Sequence, residues 1–180
     1  MARPASIIGA QEGLIEIKVG QRRSRKVRRP KPMTVQAPMK THSPFAVPSD
    51  LTPDLARVLA YWRGLLRGSA EMPFADDVNL ADLPDLAGRL FLVGVFARPE
   101  RFRFDLIGDD LKCDGWMGLF LDEASPVTPF EFLSAQCAAA REGAAPTYYE
   151  LGDPHGYGRL LLPLWADGRI SMLLGAVQFA

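Results

Sequence analysis

Beyond residue 50, apolar and polar positions follow one order: a helical stripe, two strand-like runs, a helical middle and three further strand-like runs. The first two runs are LFLVGVFA (90–97) and RFRFDLIG (101–108), and the short Arg98-Pro99-Glu100 link between them predicts an antiparallel hairpin. The last three are PTYYELG (146–152), GRLLLPLWA (158–166) and RISMLLGAVQF (169–179). Asp153-Pro154-His155-Gly156 and Ala166-Asp167-Gly168 separate them, and both are turn chemistry. Pro163 interrupts the fourth run; it has no N–H to give a ladder, so a bulge or a locally unpaired stretch is expected there.

Helical spacing appears twice. Thr52-Pro53-Asp54 is a helix start, with proline at the first helical position and an acid at the positive end of the dipole. Leu55, Val58, Leu59, Trp62, Leu65 and Leu66 then share one stripe, and Arg57, Arg63 and Arg67 lie off it, predicting an amphipathic helix that ends near Gly68. Burying each large side chain contributes roughly 1.5–3 kcal/mol, so this stripe needs a cover, either its own sheet or a partner. VNLADLPDLAGRL (78–90) predicts a short helix interrupted at Pro84. Further on, Thr128-Pro129-Phe130-Glu131 has the form of a capping box, with Phe130, Leu133, Cys137 and Ala140 on one face and Gly143 at the end.

At 180 residues, 48% hydrophobic, the chain suits one globular domain and a tail. Its formal net charge of zero conceals a split: residues 1–49 carry ten Lys/Arg against two Asp/Glu, and residues 50–180 carry eleven against nineteen. An acidic body with a basic arm is expected. Within the arm, IIGAQEGLIEIKVG (7–20) alternates like a short strand but has no apolar partner, and the Arg-, Lys- and Pro-rich residues 21–48 lack the apolar surface to offset ordering. Cys113 and Cys137 form no CxxC pair and nothing marks a secretory setting, so a reducing cytoplasm is expected. Arg22-Arg23 lacks the hydrophobic stretch of a twin-arginine leader, and no run reaches the ~18 residues of a membrane span.

Several landmarks fall in sequence: Trp62, Pro73 before an acidic stretch, Leu83-Pro84, FRFDLIGDDL (102–111), Gly115-Trp116-Met117-Gly118, LLLPL (160–164) and Asp167-Gly168. In their order and spacing, residues 53–179 resemble the divergent PAS-like domains of short bacterial proteins. Asp105 stands where that pattern more often has a basic residue, and Asp109 where a small hydroxyl residue commonly follows the glycine. The resemblance implies an α+β fold: a five-stranded antiparallel sheet with short helices across one face, a small cavity between them and an amphipathic leading helix. It divides the chain into an arm at 1–49 and a domain at 50–180. PAS domains bind haem, flavins or small metabolites, or serve as dimerisation and docking modules.

The short helices and the capped helix are the elements that roof a PAS pocket, which makes Trp116, Met117, Phe130 and Leu133 lining candidates, with Phe104 and Cys113 beside them. Haem needs an axial His or Cys. His155 sits in a glycine-rich turn and His42 in the arm, which leaves Cys113 as the candidate ligand. Lys112-Cys113-Asp114 is not the Asn-Cys-Arg motif of a light-sensing flavin domain. The sequence therefore names no cofactor. In PAS proteins the leading segment commonly meets its equivalent in a second subunit, so Leu55, Leu59, Trp62 and Leu66 are homodimer-interface candidates.

Asp76, Asp77, Asp82 and Asp85, and Asp109, Asp110 and Asp114, lack the alternating ligand loop of a calcium site and read as solvated acids at helix starts and turns, so no metal is expected. Residues 152–158 link strand to strand, unlike a phosphate cradle. There is neither a G-x-S-x-G elbow nor a Walker sequence, so no catalytic residue is assigned. Arg22, Arg23, Arg25, Arg28 and Arg29 could meet phosphates, weakly and without sequence preference, since no base-reading element accompanies them. The expectation is a non-enzymatic cytoplasmic sensor or adaptor that binds a small ligand or protein partner and signals through another protein in trans. The alternative is a nucleic-acid-associated regulator working through the arm.

Overall fold

The computed structural model describes residues 44–180 apart from Pro126, Asp153 and His155. The strands are β1 (Leu90–Ala97), β2 (Glu100–Ile107), β3 (Thr147–Leu151), β4 (Tyr157–Ala166) and β5 (Arg169–Phe179). They form one antiparallel sheet in the order β2-β1-β5-β4-β3. The helices are α1 (Pro53–Gly64) and α2 (Leu133–Gly143). The fold is thus α+β with a five-stranded antiparallel sheet, and all five apolar runs become strands.

Local chemistry sets the register. Asp167 and Gly168 both have positive φ (52° and 75°), the two-residue turn whose twist matches a right-handed hairpin, and Ala166 faces Arg169 across it. β4 is buried along Tyr157–Leu164 because both its faces are covered, hence its nearly continuous apolar sequence. Alternation puts Arg159 and Leu160 on opposite faces. Gln136 of α2 reaches the Arg159 side, while Leu55 and Val58 of α1 meet Leu90 and Ala176, the latter being the partner of Leu160. The two helices therefore pack on opposite faces of the sheet.

Exposed edges present unpaired backbone groups, and here each edge has a cover. The backbone of 118–121 lies along β2, with Phe104 N–H donating to Leu119 O (2.9 Å) and Leu121 N–H to Phe102 O (2.8 Å). On β3, Tyr148 N–H donates to Phe45 O (3.0 Å). β3 ends its pairing at Leu161, so β4 has a free edge beyond it, where Trp62 Nε1–H donates to Pro163 O (2.9 Å) and Trp165 N–H to Pro73 O (2.8 Å). The nitrogen of Pro163 faces the same side as its carbonyl, where no strand requires a donor, and a bulge follows at Leu164/Trp165. Of the two expected forms, the unpaired stretch is the one found at Pro163 itself, on the side away from β5; the bulge falls just beyond it.

Four expectations need correction. α1 ends at Gly64; Gly68 has φ +57° and turns the chain beyond the helix. Residues 78–90 hold 3₁₀ turns at Leu80–Asp82 and Ala87–Arg89 in place of a short α-helix. The folded body reaches upstream of residue 49, because Val47 packs on the core and Phe45 meets the Tyr149 ring at 6.3 Å. The homodimer candidates Leu55, Leu59 and Trp62 are buried within the chain's own core, and Leu66 is half-buried against it. The sheet covers this stripe, so these side chains do not form an exposed face for a second subunit.

Candidate functional site

The chain between β2 and β3 folds over the α2 face of the sheet and leaves an open cleft of about 280 Å³. Its walls are Phe104, Trp116, Leu121, Ala124, Phe130, Phe132 and Leu133, and its polar groups are Asp122, Ser125 and Ser134. The aromatic rings form one assembly: Phe104 meets Phe130 at 5.1 Å and Trp116 at 5.7 Å, and Trp116 meets Phe130 at 5.9 Å. Phe91, fully buried, backs this assembly from below, edge-on to Phe130 at 5.2 Å. Its ring lies directly on Gly175, where an added Cβ would come within 2.1 Å of it. The rings thus fill the interior beneath the connection, and the space left for a ligand is at their outer edge.

Of the six lining candidates, Phe104, Trp116, Phe130 and Leu133 come together in this cleft. Met117 does not: it is 69% exposed on the turn between Gly115 and Gly118, both of which have positive φ. Cys113 also lies outside the lining, half-buried, with its thiol donating to Leu111 O at 3.2 Å. Burial first, and the neighbouring Asp114 charge second, push this thiol up, away from the thiolate a metal would require. Cys113, the candidate ligand had haem been bound, thus packs against the core beside the cleft. Asp105 sits over the bare Cα of Gly94 and accepts from Arg103 Nε at 2.7 Å, which accommodates an acid where a basic residue is more usual.

The capping box takes a different form from the one expected. Thr128 Oγ1 donates to the side chain of Glu131 (2.6 Å) in place of accepting from its backbone N–H, and helix α2 starts only at Leu133. Glu131 is drawn into the fold because Tyr157 O–H donates to its other oxygen at 2.7 Å. Burial works against its charge, but the bonds from Thr128 and Tyr157 and the nearby Arg159 outweigh it and hold the carboxyl below the ordinary glutamate range. A depressed acid adds stability above its unfolded pKa, near 4.5, and loses it as pH falls through the lower folded value. Glu131→Gln should therefore flatten the acid limb of a stability profile measured by urea unfolding between about pH 5 and pH 3.

Phe132, absent from the sequence-based set, is the most informative residue of the cleft. It is 67% exposed and has φ +55°, a conformation that costs a bulky side chain roughly 1–3 kcal/mol. Its ring meets Tyr149 at 5.9 Å. Neither burial nor backbone preference accounts for a phenylalanine at this position, and no periodicity marked it, because the sequence reads it as helix interior. Phe132→Gly should raise the unfolding free energy by about 1 kcal/mol while removing one wall of the cleft. Calorimetry checks the gain; a loss of stability would mean the ring is structural.

Arg159 is fully buried near the start of β4, and burial lowers its pKa. Its Nε donates to Gln136 Oε1 (2.7 Å), Nη2 to Glu131 O (2.9 Å) and Nη1 to Pro129 O. Gln136 donates in turn to Thr147 O and Arg159 O, each at 3.2 Å. Fully buried Cys137 lies nearby, its thiol pushed up by desolvation. A second groove of about 410 Å³ runs from Asp122 and Ser134 along α2, with Phe102, Leu121, Ala135 and Ala138 lining it. Arg101 bonds Asp122 and Glu123 at its rim, and Arg141 bonds Glu100, so the charges there pair with one another.

Among the described residues, no three or more His, Cys, Asp or Glu side chains are grouped as a metal site would need, and no helix is long and apolar enough to cross a membrane. The polyanion candidates Arg22, Arg23, Arg25, Arg28 and Arg29, together with His42 and His155, lie outside the described residues. No family model matches the chain, and no curated protein or solved structure is found to be similar to it.

Proposed function

We propose that this chain is a non-enzymatic, cytoplasmic PAS-type sensor or adaptor whose working surface is the aromatic cleft, and which signals through another protein in trans. The observation that carries this reading is the cleft itself: tilted and edge-to-face rings from β2 and from the β2–β3 connection, with Phe132 held exposed at a conformational cost. An antiparallel five-stranded sheet with that connection packed over one face is also the arrangement the PAS resemblance implies. Aromatic walls with a few polar groups favour a small, flat, largely apolar ligand. Asp122, the charged group in the lining, is held by Arg101, which supports binding over catalysis.

Isotope-labelled protein titrated with fractionated small-molecule extract of its host tests this reading. Chemical-shift changes should centre on Trp116, Ala124, Phe132 and Leu133 and disappear in Trp116→Ala. No change, or change confined to residues remote from the cleft, would count against it. The charge split between arm and body favours a second reading, in which Arg22, Arg23, Arg25, Arg28 and Arg29 contact nucleic acid weakly and the body acts as a regulator. A homodimer remains compatible with either reading, through a surface other than the α1 stripe.

A further inference from the structure

The segment 128–132, which carries Phe130 and Phe132 into the cleft, has little regular structure of its own. Phe130 N–H donates to Val127 O and Leu133 N–H to Phe130 O, both turn contacts. The carbonyls of Pro129 and Glu131 instead turn to the sheet, where both are taken by one side chain, Arg159. Its third contact, Gln136, ties the same guanidinium to α2 and, through Thr147 O, to β3. The guanidinium also lies 5.2 Å from the Tyr149 ring, the ring that Phe132 touches.

We infer that Arg159 is the positioning residue of the cleft: it fixes the segment bearing Phe130 and Phe132, and it links occupancy of the cleft to β3 and β4. A buried charge is an expensive way to stabilise a core, since a well-packed apolar residue commonly does as well or better. Among the described residues, no carboxylate lies within ion-pair distance of this guanidinium; it is spent on carbonyls and one amide. What arginine supplies that an apolar residue cannot is a rigid fork that holds several acceptors at once. A ligand that shifts Phe130 or Phe132 must therefore move the acceptors of Arg159, which belongs to a central strand pair.

This inference rests on the reading of the cleft as a binding surface, and two measurements separate them. Hydrogen exchange compares the ligand-free wild type with Arg159→Met and Arg159→Lys, and the dye 1-anilinonaphthalene-8-sulfonate serves as a flat aromatic probe. In Arg159→Met, exchange at Phe130, Leu133 and Gln136 should rise about tenfold, as expected when one segment loses its ties, while Val93 and Leu173 in the sheet keep their protection. Probe affinity should fall with it, and lysine, which cannot hold both carbonyls and the amide, should restore only part of each. A uniform rise across the sheet, or no rise at all, would overturn the inference. A selective rise without Trp116-dependent probe binding would uphold Arg159 as the tie and sink the cleft as a site. If Arg159→Met fails to fold, Gln136→Met, which removes the Nε acceptor together with the bonds to Thr147 O and Arg159 O and leaves both Arg159 contacts to the 128–132 carbonyls in place, should loosen the same three amides, and their unchanged exchange would overturn the inference.

Discussion

Trp62→Ala is expected to cost about 3–5 kcal/mol, measured as a fall in the urea unfolding midpoint, because it empties a buried site and removes a hydrogen bond together. The indole is buried between α1 and the free edge of β4, where its N–H satisfies Pro163 O. A domain of this size has a total stability of only about 5–15 kcal/mol, so the variant should be close to unfolding at 37 °C. Trp62→Phe separates the two contributions: it retains most of the apolar contact and loses the donor, at about 1–3 kcal/mol for the stranded carbonyl. A loss below about 1 kcal/mol in the alanine variant, with a change in subunit count, would return the tryptophan to an intermolecular interface.

Gly175→Val should also be severe. Any Cβ at this position on β5 meets the Phe91 ring at 2.1 Å, and that ring is fully buried, with Phe104 and Phe130 at 6.5 and 5.2 Å. Overpacking of this kind costs typically 1–3 kcal/mol for a small excess of volume, and valine adds more than one methyl group. The expected outcome is loss of cooperative unfolding or an insoluble product. Gly175→Ala combined with Phe91→Leu should recover part of the loss, because the two sites share one space and their effects are not additive. An alanine variant as stable as the wild type would show that the Phe91 ring yields to the added methyl group.

Strands were the most legible part of this chain. Alternation, the Asp167-Gly168 turn and the short 98–100 link each report on local backbone, and the sheet follows from them. Pro163 was legible for the same reason: a missing donor has only a few places to go. The α1 stripe was legible as a buried face but not in what covers it, because a periodic pattern records that a side chain needs burial and not by whom. The capping box misled because Glu131 is claimed by Tyr157, 26 residues away in sequence. Tertiary contacts of that range leave no local trace. Four lining residues were found because they are large and apolar and lie on or beside the elements that the PAS resemblance places around a pocket; Phe132 was missed because its exposure and positive φ are properties of the folded chain alone.

Native mass spectrometry of the protein purified from its own host tests the central claim most directly. The account predicts a population carrying a retained small molecule, lost in Trp116→Ala and Phe132→Gly while both variants remain folded. A bare chain mass from the native source, or a retained molecule indifferent to both substitutions, would contradict it.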